Sequence, residues 1–250
     1  TTYSKADRIN IAISSKVDGI ILEGDNSEET ADLVRKASSK GIPVVTVLSD
    51  CVSSPRKSYI GLNNYSLGKE YGTALGHIAQ DKKVDSLSVL ILTDNDEGNY
   101  DDVIRTGIQE YAVGRSIELE SSVVDTSTPF TSQEDVMTIL DNMERIPDVI
   151  ICLNERTSES AYQCIVDKNL VGKTTVLGYY DSDTILKAID KGSVYATFSI
   201  QSRYVAEQCV NALNGYIETG FVSEYLSSDY ILINKENLTT YIAGGDKNEG

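Results

Sequence analysis

Val17-Asp18-Gly19-Ile20-Ile21-Leu22, then Gly41-Ile42-Pro43-Val44-Val45, then Tyr59-Ile60-Gly61-Leu62-Asn63-Asn64 decide how this chain is read. The first stretch is a short apolar run rich in β-branched residues, as expected for a strand covered on both faces. Asn26 or Ser27 caps the helix that follows, whose inward face is Leu33, Val34 and Ala37. Gly41 ends that helix, and Ile42-Pro43 leads into a second strand, Val44 to Leu48.

The same alternation runs outward from there. Further strands are expected at Ser58 to Gly61, Leu87 to Leu92, Glu118 to Val124, Asp148 to Leu153, Thr175 to Tyr179, Val194 to Ser199 and Tyr230 to Ile233. Between them, apolar residues recur at helical spacing, as in Leu67/Tyr71/Leu75/Ile78, Val103/Ile104/Ile108/Tyr111 and Val136/Ile139/Leu140/Met143. Shorter stripes are Ala161/Ile165, Ile185/Ile189 and Val205/Cys209/Ala212/Leu213. Alternating β and α with short connections predicts an α/β fold of doubly wound parallel sheets, and the length suits two such sheets better than one. Thr1 to Asp7 is polar and reads as an amphipathic helix. The Gly-rich tail from Gly244 to Gly250 is expected to fray.

Composition excludes several functions. The 250 residues carry a net charge of −16, which opposes nucleic-acid binding by this segment, because phosphate contacts need clustered Lys and Arg. No apolar run reaches the length of a membrane span. Cys51, Cys152, Cys164 and Cys209 form no CxxC pair and three lie in apolar stretches, so they read as buried thiols. The single histidine, His77, falls on a helix and reads as a surface or packed residue, not a base. Gly172-Lys173-Thr174-Thr175 resembles the end of a phosphate loop, but Asp167 stands where that loop needs a glycine. The acidic run Asp94-Asn95-Asp96-Glu97-Gly98-Asn99 lacks calcium-loop spacing. No catalytic residue, metal or cofactor is expected.

Polar residues instead collect at the carboxyl ends of the strands, where doubly wound sheets bind ligands. They are Ser49 and Asp50, Asn95 and Asn99, Asn154 and Glu155, Tyr180 and Asp181, and Gln201 with Arg203. These side chains supply the mixed donors and acceptors that vicinal hydroxyls need, and a tyrosine ring covers an apolar sugar face.

The order of the pieces resembles the type I periplasmic binding proteins, the ribose- and galactose-binding kind, a family shared with lactose-repressor-type effector domains. The three opening stretches resemble its first half. Asp148-Val149-Ile150-Ile151-Cys152-Leu153-Asn154-Glu155 resembles its strand ending in Asn-Asp, and Val176-Leu177-Gly178-Tyr179-Tyr180-Asp181 its Gly-Phe-Asp turn. Gly192 through Ala196-Thr197 to Gln201 resembles its Gly…Ala-Thr…Gln stretch. The resemblance implies two lobes joined by three crossings, near Gly61 to Asn64, Ser199 to Gln201 and Asp229. An N-terminal lobe would take 1–61 and 201–229, and a C-terminal lobe 62–200 and 230–243, with 244–250 as a flexible tail. It further implies a ligand held between the lobes and closure around it. Arg105 lies one place from the family's usual arginine, and Leu48-Ser49-Asp50 replaces the Asp-Arg of many hexose binders. Family members open with a strand, helix and strand ahead of the region matching Thr1. The N-terminal lobe is therefore expected to be incomplete, with an apolar sheet edge open to self-association.

The expected function is a solute-binding protein or extracellular sensor domain that takes a sugar or similar small polar ligand. Its partner would be an ABC permease or a membrane histidine kinase, outside the cell or in the periplasm, with or without a membrane anchor. The alternative is the effector domain of a cytoplasmic transcription regulator.

Overall fold

In a computed structural model, residues 3–25, 27–94, 100–112, 114–228 and 230–244 are described, with the side chains of Tyr100 and Asp101 left aside. The chain divides into two compact units, Thr1–Asn63 with Gln201–Asp229, and Asn64–Ile200 with Tyr230–Gly250.

The first unit holds α1 (Lys5–Ser14), β1 (Ile20–Glu23), α2 (Glu28–Ser39), β2 (Val44–Leu48) and β3 (Ser58–Leu62), and later α8 (Ser202–Thr219) and β9 (Tyr225–Ser228). Ser27 caps α2 by accepting the Thr30 N–H at 3.2 Å, and two glutamates in the first turn suit the helix dipole. Asn26, the alternative cap, lies outside the described residues. The strands form one parallel sheet in the order β1-β2-β3-β9. Ile20 and Leu22 pack with Val44 against Ile9 and Ile13 of α1 and Leu33, Val34 and Ala37 of α2. Helix α8 packs on β2 and β3. Next to β1, Gly19 leaves room for Leu213 of α8, whose methyl lies 3.0 Å from where a Cβ would stand. Strand β1 ends the sheet, and Ile21, on its other face from Ile20, is 41% exposed.

The second unit holds α3 (Asn64–Lys82), β4 (Ser86–Thr93), α4 (Tyr100–Tyr111), β5 (Ser116–Val123), α5 (Pro129–Asn142), β6 (Val149–Cys152), α6 (Glu155–Asp167), β7 (Thr175–Tyr179), α7 (Asp183–Asp190), β8 (Ala196–Ile200), β10 (Tyr230–Asn234) and α9 (Leu238–Ala243). Its sheet runs β10-β8-β7-β6-β4-β5. All neighbours are parallel except β10, which returns antiparallel to β8. The sheet is covered on both faces, and the strand period shows it: Leu87, Val89 and Ile91 of β4 join one core with α3 and α4, whereas Leu90 and Leu92 join the other with α5, α6 and α7. Strand β6 divides likewise, Val149 and Ile151 to one side and Ile150 and Cys152 to the other. Helices α3 and α4 approach closely on glycines, because a Cβ on Gly68 would stand 2.2 Å from the Ile104 carbonyl oxygen and one on Gly107 2.6 Å from that of Tyr65.

The expected doubly wound α/β class is the one observed. Differences from the sequence expectation include β9, α9 and the antiparallel course of β10. The first helix also lies further along, at Lys5–Ser14.

Candidate ligand site at the strand ends

In the first unit the candidates follow β2. Leu48 has φ +62°, and the Ser49 N–H donates back to the Val47 carbonyl at 2.7 Å. Ser49 is exposed. Its carbonyl accepts the Gly24 N–H at 2.9 Å, tying the turn to the end of β1. The Asp50 carboxylate turns inward. It accepts Thr46 Oγ1 at 2.7 Å, the Cys51 N–H at 2.8 Å, and Arg56 through Nε and a second guanidinium nitrogen, each at 2.6 Å. Burial pushes the Asp50 carboxyl upward, but Arg56, Thr46 and Cys51 outweigh it and hold the group below its ordinary 3.8. Asp50 thus braces the loop, and sequence reasoning missed its partner, Arg56, six residues on.

In the second unit the ends of β6 and β7 are brought together. Asn154 caps α6, its Oδ1 accepting the Thr157 N–H at 2.8 Å. Its Nδ2 is shielded from water and has no hydrogen-bond partner among the described residues. Glu155 follows in the first turn of α6. Its carboxyl lies above the usual range, raised first by burial and then by Glu159 and Asp181, with Arg156 opposing. Ser158 of α6 donates to the Tyr179 carbonyl at 3.1 Å and accepts the Tyr179 N–H at 2.8 Å, joining the two strand ends. Tyr180 has φ +72°; its N–H donates to the Phe198 carbonyl at 2.7 Å and its carbonyl accepts Thr197 Oγ1 at 2.6 Å. Asp181 is fully buried and accepts the Tyr241 hydroxyl of α9 at 2.6 Å.

Arg105 of α4 donates to Ser121 Oγ at 2.6 Å and to the Leu119 carbonyl at 3.0 Å, both on β5. Gln201, at the start of α8, makes no side-chain cap bond. Asn95 and Asn99 lie outside the described residues, as do Asp229 at the third expected crossing and most of the expected tail.

Among the described candidates, Asp50, Arg105, Asn154 and Asp181 make side-chain hydrogen bonds. The four cysteines are buried; burial pushes the Cys152 thiol up to about 12 and the Cys164 thiol up to about 11, so both stay protonated at neutral pH. His77 is exposed on α3. Among the described residues no cluster of His, Cys, Asp or Glu is placed to hold a metal ion. No helix among them is long and apolar enough to cross a membrane.

Residues 3–220 match the model of the periplasmic binding protein domain. The chain belongs to that family. No curated protein sequence matches this periplasmic binding protein domain. Its fold is similar to that of GanP, a glucose-galactose binding protein from Geobacillus stearothermophilus, with a TM-score of 0.81 at 22% identity over 93% of this chain and 82% of that one. An ABC transporter solute-binding protein from Burkholderia graminis, solved in complex with D-arabinose, gives 0.82 at 21% identity over 95% and 82%. A chain of the XylFII-LytSN complex gives 0.77 at 24% identity over 94% and 84%. At these identities the likeness establishes the fold of the binding-protein domain.

Proposed function

We propose that this domain is a solute-binding protein or extracellular sensor domain whose strand ends hold a sugar or a similar small polar ligand, without catalysis. One observation carries the reading: at the end of β6, the Asn154 Nδ2 is buried and donates to no group among the described residues. A buried donor left unpaired costs about 1–3 kcal/mol, and an acceptor hydroxyl of a bound ligand recovers that cost. Glu155 stands beside it as an acceptor, and the Tyr180 backbone is held in a left-handed turn of the kind that gathers at ligand clamps. The neighbours solved with D-arabinose, D-allose and D-fucose support a sugar over other polar solutes.

Delivery to an ABC permease fits the transport-type neighbours, and the fold shared with a chain of the XylFII-LytSN complex supports docking onto another protein, such as a membrane histidine kinase. Either role places the domain outside the cell or in the periplasm, with or without an anchor. The end strand β1 offers a site for self-association. Calorimetric titration with D-arabinose, D-allose, D-fucose, D-glucose and D-galactose tests the ligand class: saturable heat from at least one sugar is expected, and silence from all five would sink the proposal.

A further inference from the structure

The turn that ends β2 is strained. Leu48 carries a branched side chain, 40% exposed, yet has φ +62°, a region that L-residues avoid because Cβ crowds the following carbonyl. The Ser49 N–H reaches back only two residues, to the Val47 carbonyl at 2.7 Å, so Leu48 is the centre of a γ-turn of the rare, left-handed kind. Such a conformation persists only when its surroundings over-determine it.

One side chain does this from the neighbouring strand. The Tyr59 hydroxyl donates to the Leu48 carbonyl at 2.7 Å. Gly61 lies directly opposite Leu48 in the β2–β3 register. Tyr59 is two residues before Gly61, on the same face of β3, and its ring lies along the strand over Gly61. A Cβ at position 61 would stand 2.0 Å from the ring Cζ and 2.2 Å from the hydroxyl oxygen. Gly61 is thus the slot that lets Tyr59 reach Leu48. On the far side, the turn closes on Gly24, whose N–H holds the Ser49 carbonyl at 2.9 Å and whose missing Cβ leaves room for Asp50, with that residue's carbonyl carbon 2.6 Å from the ideal Cβ position.

We propose that Tyr59, seated in the slot left by Gly61, is a positioning residue that locks the strained Leu48 turn and so presents Ser49 at the end of β2. Its bearing on ligand binding rests on the function proposed above; the lock itself is a property of the first unit.

Amide hydrogen exchange of the full chain, followed residue by residue by NMR, tests the lock. Tyr59→Phe removes the donor and keeps the ring, and should speed exchange of the Gly24 and Cys51 amides by about tenfold, the loss expected for one hydrogen bond. Leu48→Gly removes the steric cost of the turn, so adding Tyr59→Phe to Leu48→Gly should change those rates by less than about threefold. Gly61→Ala should reproduce the effect of Tyr59→Phe by displacing the ring; if that variant fails to fold, the other pair decides. Unchanged Gly24 and Cys51 exchange in Tyr59→Phe, or an equal effect with and without Leu48→Gly, overturns the proposal. In a parallel titration with D-arabinose, Tyr59→Phe should weaken affinity and Leu48→Gly should restore it. A wild-type chain that binds none of the five sugars yet shows the exchange pattern sinks the proposed function and supports the lock.

Discussion

Asp50 accepts four hydrogen bonds from Thr46, Cys51 and Arg56, and with Arg56 forms a pair whose side chains are only 15% and 16% exposed. Its folded carboxyl lies below the ordinary 3.8. A lowered folded value means the native state binds fewer protons than the unfolded chain, so this contribution is present above the unfolded value and is lost as pH falls through the folded one. We expect Asp50→Asn to cost about 1–3 kcal/mol at pH 7, measured by urea unfolding, with the gap to wild type closing as pH falls below about 4. A gap that is constant across that range would contradict the assignment. The sequence shows Asp50 as a polar residue after a strand, which is equally the mark of a ligand acceptor and of a loop brace. What separates the two is Arg56, and no local pattern announces that a residue six places on folds back. Asn154 is the opposite case. Its place after a buried strand and before a helix was legible, but a shielded Nδ2 is a property of packing.

Strands with long β-branched or apolar runs were legible because burial on both faces demands them, as in β4 and β6, whose alternate residues feed the two cores. Strand β9 reads Tyr225-Leu226-Ser227-Ser228, half exposed and half polar, and carries no such signal. Helix α9 spans six residues, too short for a 3.6-residue period to show. The direction of β10 is set by pairing with β8, which the sequence of β10 does not encode. Two glycines of α3 separate packing from propensity. Gly68 meets the Ile104 carbonyl, whereas a Cβ on Gly76 has nothing within 4 Å. Gly68→Ala should therefore destabilise by about 1–3 kcal/mol through overpacking, and Gly76→Ala should stabilise by up to about 1 kcal/mol; urea midpoints of the same sign would contradict the close crossing. At the sheet end, β1 pairs only with β2 among the described residues, and Ile21 is exposed beside it. Sedimentation should show concentration-dependent association that Ile21→Lys abolishes. A wild-type chain that stays monomeric up to about 1 mM would remove this edge from consideration.

At the scale of the molecule, each unit is a parallel-dominated sheet with polar residues gathered where its strands end, and the chain belongs to the periplasmic binding protein domain family. The alternation of strand and helix made that class readable, since only a few topologies satisfy short, right-handed connections. Ligand identity was not readable, because the groups that would choose it come from separate strands and act through packing. A ligand acceptor at the β6 end is expected to pair with the Asn154 Nδ2. Calorimetric titration of the best-binding sugar of the five into wild type and Asn154→Ala tests it most directly. Saturable binding by wild type is expected, with an affinity at least about tenfold weaker in the variant, the equivalent of about 1.4 kcal/mol. Equal affinities for the two chains would contradict it.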